Sequence, residues 1–424
     1  MFFITSRTII FPVKARSMVD RNRIFEFVDS RSDIIAKMTS EFIRTQSPSG
    51  SEAAVAGVLK DALKNVGIEA TTDAAGNVIG LMKGTSQIPG KRLAFNVHLD
   101  HVPAGSMDCW EKDPFSGEIS DGKVWGRGAS DTKGAWAPMI VAMEAVKKNG
   151  GVQGDVLFTG VVMEELSYCI GMKTLLDSTL KDARPDYIVS GEATSLNIAV
   201  GHRGRTELEL STGGKSCHAS TPWRGENALY KAGRVITGIE KLSRSMVPLP
   251  GDAMLGKSTL ALTDIECMPG VHNMVPELCK IYLDYRFLPT ETQATIIARI
   301  KKRLDDDYVT AKISTCEYSE KTYTGLEFKG QKYMPAYLMQ QEHPLVKEAQ
   351  AAVSDAISMQ PKIQRWDFAT DGGYSMGVLG IPTIGFSPCE EQLAHTPNEY
   401  VRTDYMVKAA KVYAELILRL CGTN

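Results

Sequence analysis

Between Lys91 and Thr194 short apolar runs alternate with amphipathic ones, and this alternation restricts the possible folds more than any other feature of the chain. KRLAFNVHLD, DVLFTGVVMEE and DYIVSGEAT carry nearly continuous apolar cores of strand length. The helical stretches GAWAPMIVAMEAVKKNG and GMKTLLDSTLK separate them. Strands apolar on both faces cannot lie open to water on either one. They predict an α/β fold whose mainly parallel sheet is covered by helices on both sides. Helical spacing also runs from about Ile24 to Val66, broken at SPSGSE by a proline, a glycine and a serine suited to cap the next helix.

After about Gly201 the pattern changes. RTELELSTGG alternates apolar and polar residues, as a half-exposed antiparallel strand does. The helix GENALYKAGRVITGIEKLS, the strands STLALTDIEC and CKIYLDYRFLP, the helix TQATIIARIKKRLDD and the strand AKISTCEYSE follow in order. Strand, helix, two strands, helix, strand is the order of a small α+β, ferredoxin-like sheet with helices on one side. Past Tyr323 the first pattern returns through HPLVKEAQAAVSDAI, GIPTIGFSP and VKAAKVYAELILRL. The expectation is one α/β domain, residues 20–201 and 320–424, interrupted by an α+β domain over 202–319. Residues 1–19 hold Arg7, Lys14 and Arg16 and no acid, as a targeting segment does, but lack a clean apolar segment. We read them as a dispensable extension, with Met18 as an alternative start.

With 424 residues, 43% hydrophobic and 23% charged, the chain can bury a large core without help from metal or disulfide. Lys and Arg number 48 against 50 Asp and Glu, with no basic run, which argues against a nucleic-acid partner. The longest apolar stretch, Ala135 to Met143, is half a membrane span, so no membrane insertion is expected. Eight cysteines without a C-x-x-C pair disfavour zinc fingers, redox motifs and disulfide scaffolds, and make the cytoplasm the default compartment.

Several chemical motifs fail by one residue. GRGASDTKG has Asp131 where a dinucleotide fingerprint needs glycine, and GGKS at Gly213–Ser216 has Glu209 where a phosphate loop needs its first glycine. No histidine precedes a glutamate, so a helical H-E-x-x-H site is absent. What remains is a dispersed set at strand ends: His98 and Asp100 after LAFNV, Asp131 after the glycine-rich turn, Glu164 and Glu165 after LFTGVVM, Glu192 after YIVSG, and His395 after TIGFSP. Side chains just past the C-terminal ends of parallel strands converge on one crevice. Two histidines with several carboxylates suit a pair of zinc-like ions, and a bridging carboxylate suits a co-catalytic hydrolase. Taken singly, His98 reads as structural, Asp131 as a helix cap, Glu164–Glu165 as a solvated loop and His395 as surface. Spacing alone leaves both readings open.

NVHLDHVP, GRGASDTKG, MEE, GEAT, SCHASTPWRGENAL and AHTPNEY, in this order and at family-like intervals, resemble a dinuclear zinc amidohydrolase and peptidase family. It includes acetylornithine deacetylase, succinyl-diaminopimelate desuccinylase, aminoacylase and the glutamate carboxypeptidases. RGRTELEL, LGKSTLALTDI and SCHASTPWRGENALYK look most like a hydrolase branch associated with selenium metabolism. The resemblance implies two divalent metal ions, zinc first, with cobalt or manganese also suited to the ligands. His98 and Glu192 would be terminal ligands of one ion, Glu165 and His395 of the other, with Asp131 bridging. Asp100 would orient His98 by accepting its other ring N–H. Glu164 would be the general base, passing a proton from water to the departing amine. His218 would reach a neighbouring subunit's site and donate to the oxyanion, which implies a homodimer through the inserted lid domain. Arg286 and Asn273 would grip the substrate carboxylate, and Thr370, Asp371 and Gly372 would line the site.

The implied activity is metal-dependent hydrolysis of the linear amide bond of an N-acyl amino acid or related small amide. Glu192, where some members carry Asp, resembles the deacetylase and desuccinylase side. A di- or tripeptidase or carboxypeptidase with the same metals is the alternative, and a non-catalytic metal-binding relative is the alternative of another class. The complete set of ligands and base argues against the last. His101 is read as lying outside the ligand set, His272 and His343 as surface, Trp366 as core, and His202 and Arg203 as either a turn or a site contact. Bulky Trp223 and Arg224 would narrow the acceptable acyl group.

Overall fold

The apolar stretch Ala135–Met143 forms the middle of the helix Gly134–Lys148, which is buried on every side from Gly134 to Val146. The computed structural model describes residues 20–86, 90–166, 168–244 and 249–422, so the extension 1–19 lies outside the described residues. The buried helix packs on a nine-stranded sheet and against the helices Ser32–Arg44 and Thr403–Cys421. Each large apolar side chain so enclosed contributes about 1.5–3 kcal/mol. Among the described residues no helix is long and apolar enough to cross a membrane.

In chain order the strands of this sheet are β1 (Glu69–Thr72), β2 (Val78–Met82), β3 (Leu93–His98), β4 (Val156–Val161), β5 (Tyr187–Ser190), β6 (Ile198–His202), β7 (Tyr337–Leu338), β8 (Ile363–Trp366) and β9 (Thr383–Gly385). Their spatial order is β1-β2-β4-β3-β5-β9-β6-β7, with β8 also paired to β6. The central four, β4-β3-β5-β9, run parallel, and antiparallel partners flank them. β3 and β4 are buried along their whole length, which is why their sequences show no polar alternation. Parallel direction puts the ends of β3, β4 and β5 at one edge, and the residues that follow them share it.

A second, five-stranded antiparallel sheet has the order Thr259–Met268, Leu278–Phe287, Gly204–Gly213, Lys312–Thr315, with Tyr333–Met334 added beside Gly204–Gly213. The helices Ala228–Ser243 and Gln293–Asp306 pack on it around Leu208, Ile281 and Leu283, giving the ferredoxin-like order expected from the sequence. Four of its strands fall within residues 202–319, and Tyr333–Met334 comes from beyond that segment. Cys267 and Cys279 sit opposite each other across two of these strands as a disulfide, a pairing that the cysteine spacing did not announce.

Candidate active site

His98 is the last residue of β3, and its Nε2 lies 3.0 Å from Oδ1 of Asp131. The other Asp131 oxygen lies 2.8 Å from Nε2 of His395, so one carboxylate spans both imidazoles. His395 Nε2 is also 3.1 Å from Glu165 Oε2, and Glu192 Oε1 is 3.9 Å from His98 Nε2. Two donor groups close around these atoms, His98–Asp131–Glu165 and His98–Glu164–Glu192, each with ligand atoms within 4.8 Å of one another. The expected ligands and the expected base thus meet in one crevice, although they span almost three hundred residues of sequence.

The charge balance is lopsided. Burial and the neighbouring Glu192 push Glu164 well above the usual carboxylate range, and burial with the Asp131 charge raises Glu165. Burial also raises Glu192 well above that range. Asp131 goes the other way: hydrogen bonds from His395 and His98 outweigh its burial and hold it low. The His395 imidazole is pushed up to about 10, first by Asp131 and then by Glu165. Burial opposes protonation of His98, yet Asp100 and Asp131 raise it well above its ordinary value. Four carboxylates with two imidazoles form a hard and borderline donor set whose mutual repulsion divalent cations would relieve, so the residues present fit a pair of such ions.

Supporting contacts set the geometry. His98 Nδ1 donates to the Asp100 backbone carbonyl at 2.9 Å, whereas the Asp100 carboxylate stands 3.6 Å away. The structure therefore divides the role expected of Asp100. Its carbonyl fixes the His98 tautomer, and its carboxylate accepts the backbone N–H groups of Glu164 at 3.0 Å and Glu165 at 3.1 Å. Ser49 Oγ donates to the same carboxylate at 2.7 Å, and Ser47 Oγ donates to the Leu99 carbonyl at 2.7 Å. The helix Ala53–Asn65 has no side-chain cap, so Ser47 and Ser49 of SPSGSE support the site, and no serine caps the helix as the sequence had suggested.

A cavity of about 450 Å³ opens onto Asp131, Glu164, Glu165, Glu192 and His395. Its remaining wall includes Arg205, Arg286 and Met334 from the second sheet and Asp367, Phe368 and Ala369 from the loop after β8. Arg286 points its Nε at Asp284 Oδ1 at 2.7 Å, which fixes the plane of the guanidinium. Thr370, Asp371 and Gly372 are buried behind this wall rather than lining it. Thr370 N donates to His202 Nε2 at 3.1 Å, and His202 Nδ1 donates to the Arg203 carbonyl, so His202 is a structural neutral imidazole, held down to about 4 by burial. His101 turns away, accepting from Ser47 N at 2.9 Å.

His218 and Asn273 do not reach this cavity. They adjoin each other on the second unit, where Ala219 N donates to the Asn273 carbonyl at 2.9 Å, and both side chains face solvent. Sequence reasoning missed Arg205, Met334 and Phe368, and it missed a buried pair, Arg127 and Glu399, behind the Asp131 turn. The runs AHTPNEY and GRGASDTKG contain Glu399 and Arg127, but nothing in either marked the two as partners.

A parallel sheet with a strand-end crevice of acids and histidines, joined to a smaller lid, defines a metal-dependent hydrolase. The chain belongs to the peptidase family M20/M25/M40, whose family model matches residues 94–419. The uncharacterized protein YgeY of Escherichia coli K12 is 31% identical over 403 residues, 94% of this chain and 98% of its own. Succinyl-diaminopimelate desuccinylase of Cupriavidus taiwanensis is 28% identical over 282 residues, 63% of this chain and 73% of that enzyme. The M20 family metallo-carboxypeptidase Sso-CP2 from Sulfolobus solfataricus shares the fold with a TM-score of 0.72 at 17% identity, over 90% of this chain and 98% of its own. YXEP of Bacillus subtilis, a dinuclear metal-binding peptidase, does so with a TM-score of 0.68 at 14% identity, over 93% and 99%.

Proposed function

We propose that this protein is a deacylase that hydrolyses the amide bond of an N-acyl amino acid or related small amide at a pair of divalent ions. The observation that carries the reading is the cavity itself, in which the acid–histidine cluster and Arg286 face one space. His98, Glu192, Asp131, Glu165 and His395 would hold the ions, zinc being the simplest match to mixed nitrogen and oxygen donors. When bound, the ions would acidify water and polarise the scissile carbonyl. Glu164 takes the proton from the attacking water and returns it to the departing amine, a task suited to a buried carboxylate held high by its surroundings. Arg286 offers its planar fork to the substrate carboxylate while Asp284 keeps it oriented. The desuccinylase relative favours an acyl substrate over a free peptide.

We also place the active unit in a homodimer. Among the described residues the strand Thr259–Met268 is an unpaired edge of the second sheet, ten residues long, with Leu262, Ile265 and Met268 exposed. A long edge with exposed apolar residues is a pairing surface unless something covers it. In such a dimer the family resemblance implies that the exposed His218 serves the other protomer's site and donates to the oxyanion. The proposed cytoplasmic setting rests on six of the eight cysteines being free thiols, and the Cys267–Cys279 disulfide counts against it.

The test is a screen of N-acyl amino acids against free dipeptides with zinc-, cobalt- and manganese-loaded protein, using Glu164→Gln as the blank. The expected result is metal-dependent turnover of an N-acyl amino acid, lowered at least ~10²-fold in Glu164→Gln with both metals retained. A blank that keeps substantial rate would remove Glu164 from its role, and turnover of dipeptides alone would replace deacylase by peptidase.

A further inference from the structure

The near-miss motif GRGAS binds an anion after all, and the anion is internal. Gly126 and Gly128 have φ of +141° and +83°, backbone that a side chain would strain. A Cβ on Gly126 would also lie 2.5 Å from the Pro114 carbonyl oxygen. The turn so formed aims its amides at one carboxylate. Glu399 Oε1 accepts from Ser130 N at 2.7 Å, and Oε2 accepts from Gly128 N at 3.1 Å and from the Arg127 guanidinium at 2.6 Å. Two alternate amides of one turn thus converge on an anion, with Ala129 N between them turned to the Gly126 carbonyl at 3.1 Å, an arrangement akin to the backbone nests that in other proteins receive phosphate. Here Glu399 fills it, fully buried, with Arg127 only 3% exposed.

Both ends of this nest carry an assigned metal ligand. Asp131 follows Ser130 directly, and His395 is four residues before Glu399 on the loop that supplies it. Further bonds stitch the two segments: Gly126 N donates to the Glu399 carbonyl at 2.8 Å and Ser130 Oγ to the Tyr400 carbonyl at 2.7 Å. We propose that Glu399, with Arg127, is a positioning residue that locks the turn presenting Asp131 to the loop presenting His395. The two ligands are thereby held in register before any ion arrives. This rests on the ligand assignment proposed above. Glu399 touches neither substrate nor metal in this reading and acts only through the backbone of the Asp131 turn.

The experiment uses full-length protein in three forms: wild type, Glu399→Gln, and Arg127→Met combined with Glu399→Gln. Hydrogen exchange of the metal-free proteins is measured by mass spectrometry, and zinc binding by calorimetry. In both variants segment 126–130 should exchange at least ~10-fold faster while β3 and β4 keep wild-type protection. Zinc affinity should fall about 10–100-fold, as for other residues supporting a metal ligand. The double variant, which no longer strands a buried Arg127, should regain thermal stability without regaining affinity. Recovery of affinity together with stability would mean that the pair is merely structural and overturn the proposal, as would unchanged exchange at 126–130. If neither variant folds, Glu399→Asp, which keeps the charge but shortens the reach, takes their place under the same criteria. Wild type that binds fewer than two zinc ions would overturn the ligand assignment. Two zinc ions in wild type with indifferent variants would overturn the brace alone.

Discussion

Asp100→Asn isolates how the base and its neighbouring ligand are held. Asp100 is fully buried, and its two oxygens accept the N–H of Glu164, the N–H of Glu165 and the hydroxyl of Ser49. Asparagine replaces one acceptor by an NH₂ group. If Nδ2 takes the place of Oδ2, the Ser49 hydroxyl can turn to accept from it, but the Glu165 N–H then faces another donor. If Nδ2 takes the place of Oδ1, the Glu164 N–H is left instead. Either way one part-buried amide loses a charge-assisted bond, a loss of roughly 1.5–3 kcal/mol. Removing the negative charge relieves some repulsion on Glu52, whose carboxyl burial and Asp100 together raise to about 7. The net destabilisation of metal-free protein is therefore expected at about 1–2.5 kcal/mol. Urea unfolding of the metal-free protein reads it, and hydrogen exchange should place the lost protection at Met163–Leu166. Zinc affinity and kcat should each drop about 10–100-fold because Glu164 and Glu165 lose their shared anchor. A variant with the wild-type urea midpoint and zinc affinity within twofold would refute the idea that this carboxylate sets the Glu164–Glu165 turn.

Two further outcomes follow from the site. His395 is raised to about 10 in the metal-free protein, above its unfolded value of about 6.5, so its contribution to stability is complete below pH 6.5 and is lost as pH rises toward 10. Ligation requires the neutral ring, so zinc binding at pH 7 should expel at least one proton and tighten about tenfold per pH unit for each proton displaced. Calorimetry in buffers of different ionisation enthalpy measures this, and zero proton release would contradict the His395 assignment. Separately, in the proposed homodimer, His218→Ala and Glu164→Gln protomers should complement when mixed and allowed to exchange. Half of the dimers would then be mixed, each with one complete site, restoring about a quarter of wild-type activity. No recovery from two inactive parents that demonstrably exchange would place His218 in its own chain's site or in none.

The fold was legible where burial speaks through composition. β3 and β4 are sealed on both faces, so LAFNV and VLFTGV lack the alternation of an exposed strand, and a parallel sheet is the structure that buries both faces. The second sheet was legible for the opposite reason: RTELEL alternates because one face carries Leu208 and Leu210 inward while Glu207 and Glu209 are only half-buried. Tyr333–Met334 escaped because a two-residue strand has no period to detect. The proposed metal ligands were visible as types at strand ends, since parallel strands force their C-terminal ends together whatever lies between them.

What the sequence hid is the layer behind the ligands, and the reason is physical. A ligand is a charged residue that must face the crevice, so it sits at a predictable place on its strand. A brace is a charged residue that must not face water, and its partner can come from anywhere in the chain. Glu399 meets Arg127 across 272 residues, and Lys133 donates to the Phe42 and Thr45 carbonyls from 91 and 88 residues away. Burial lowers the Lys133 ammonium to about 7, yet nothing local to SDTKG marks this lysine as interior. The serines show the same ambiguity in reverse. SPSGSE has the composition of a helix start, but Ser49 hydrogen-bonds Asp100 51 residues on, and the helix begins uncapped. A short polar side chain that caps locally and one that anchors a distant carboxylate are chemically identical. They differ only in whether a buried acceptor stands within reach, which the folded chain alone decides. The placement of Asp131 shows the consequence: its turn could be read as a failed nucleotide loop until Glu399 arrives from the far end of the chain to fill it.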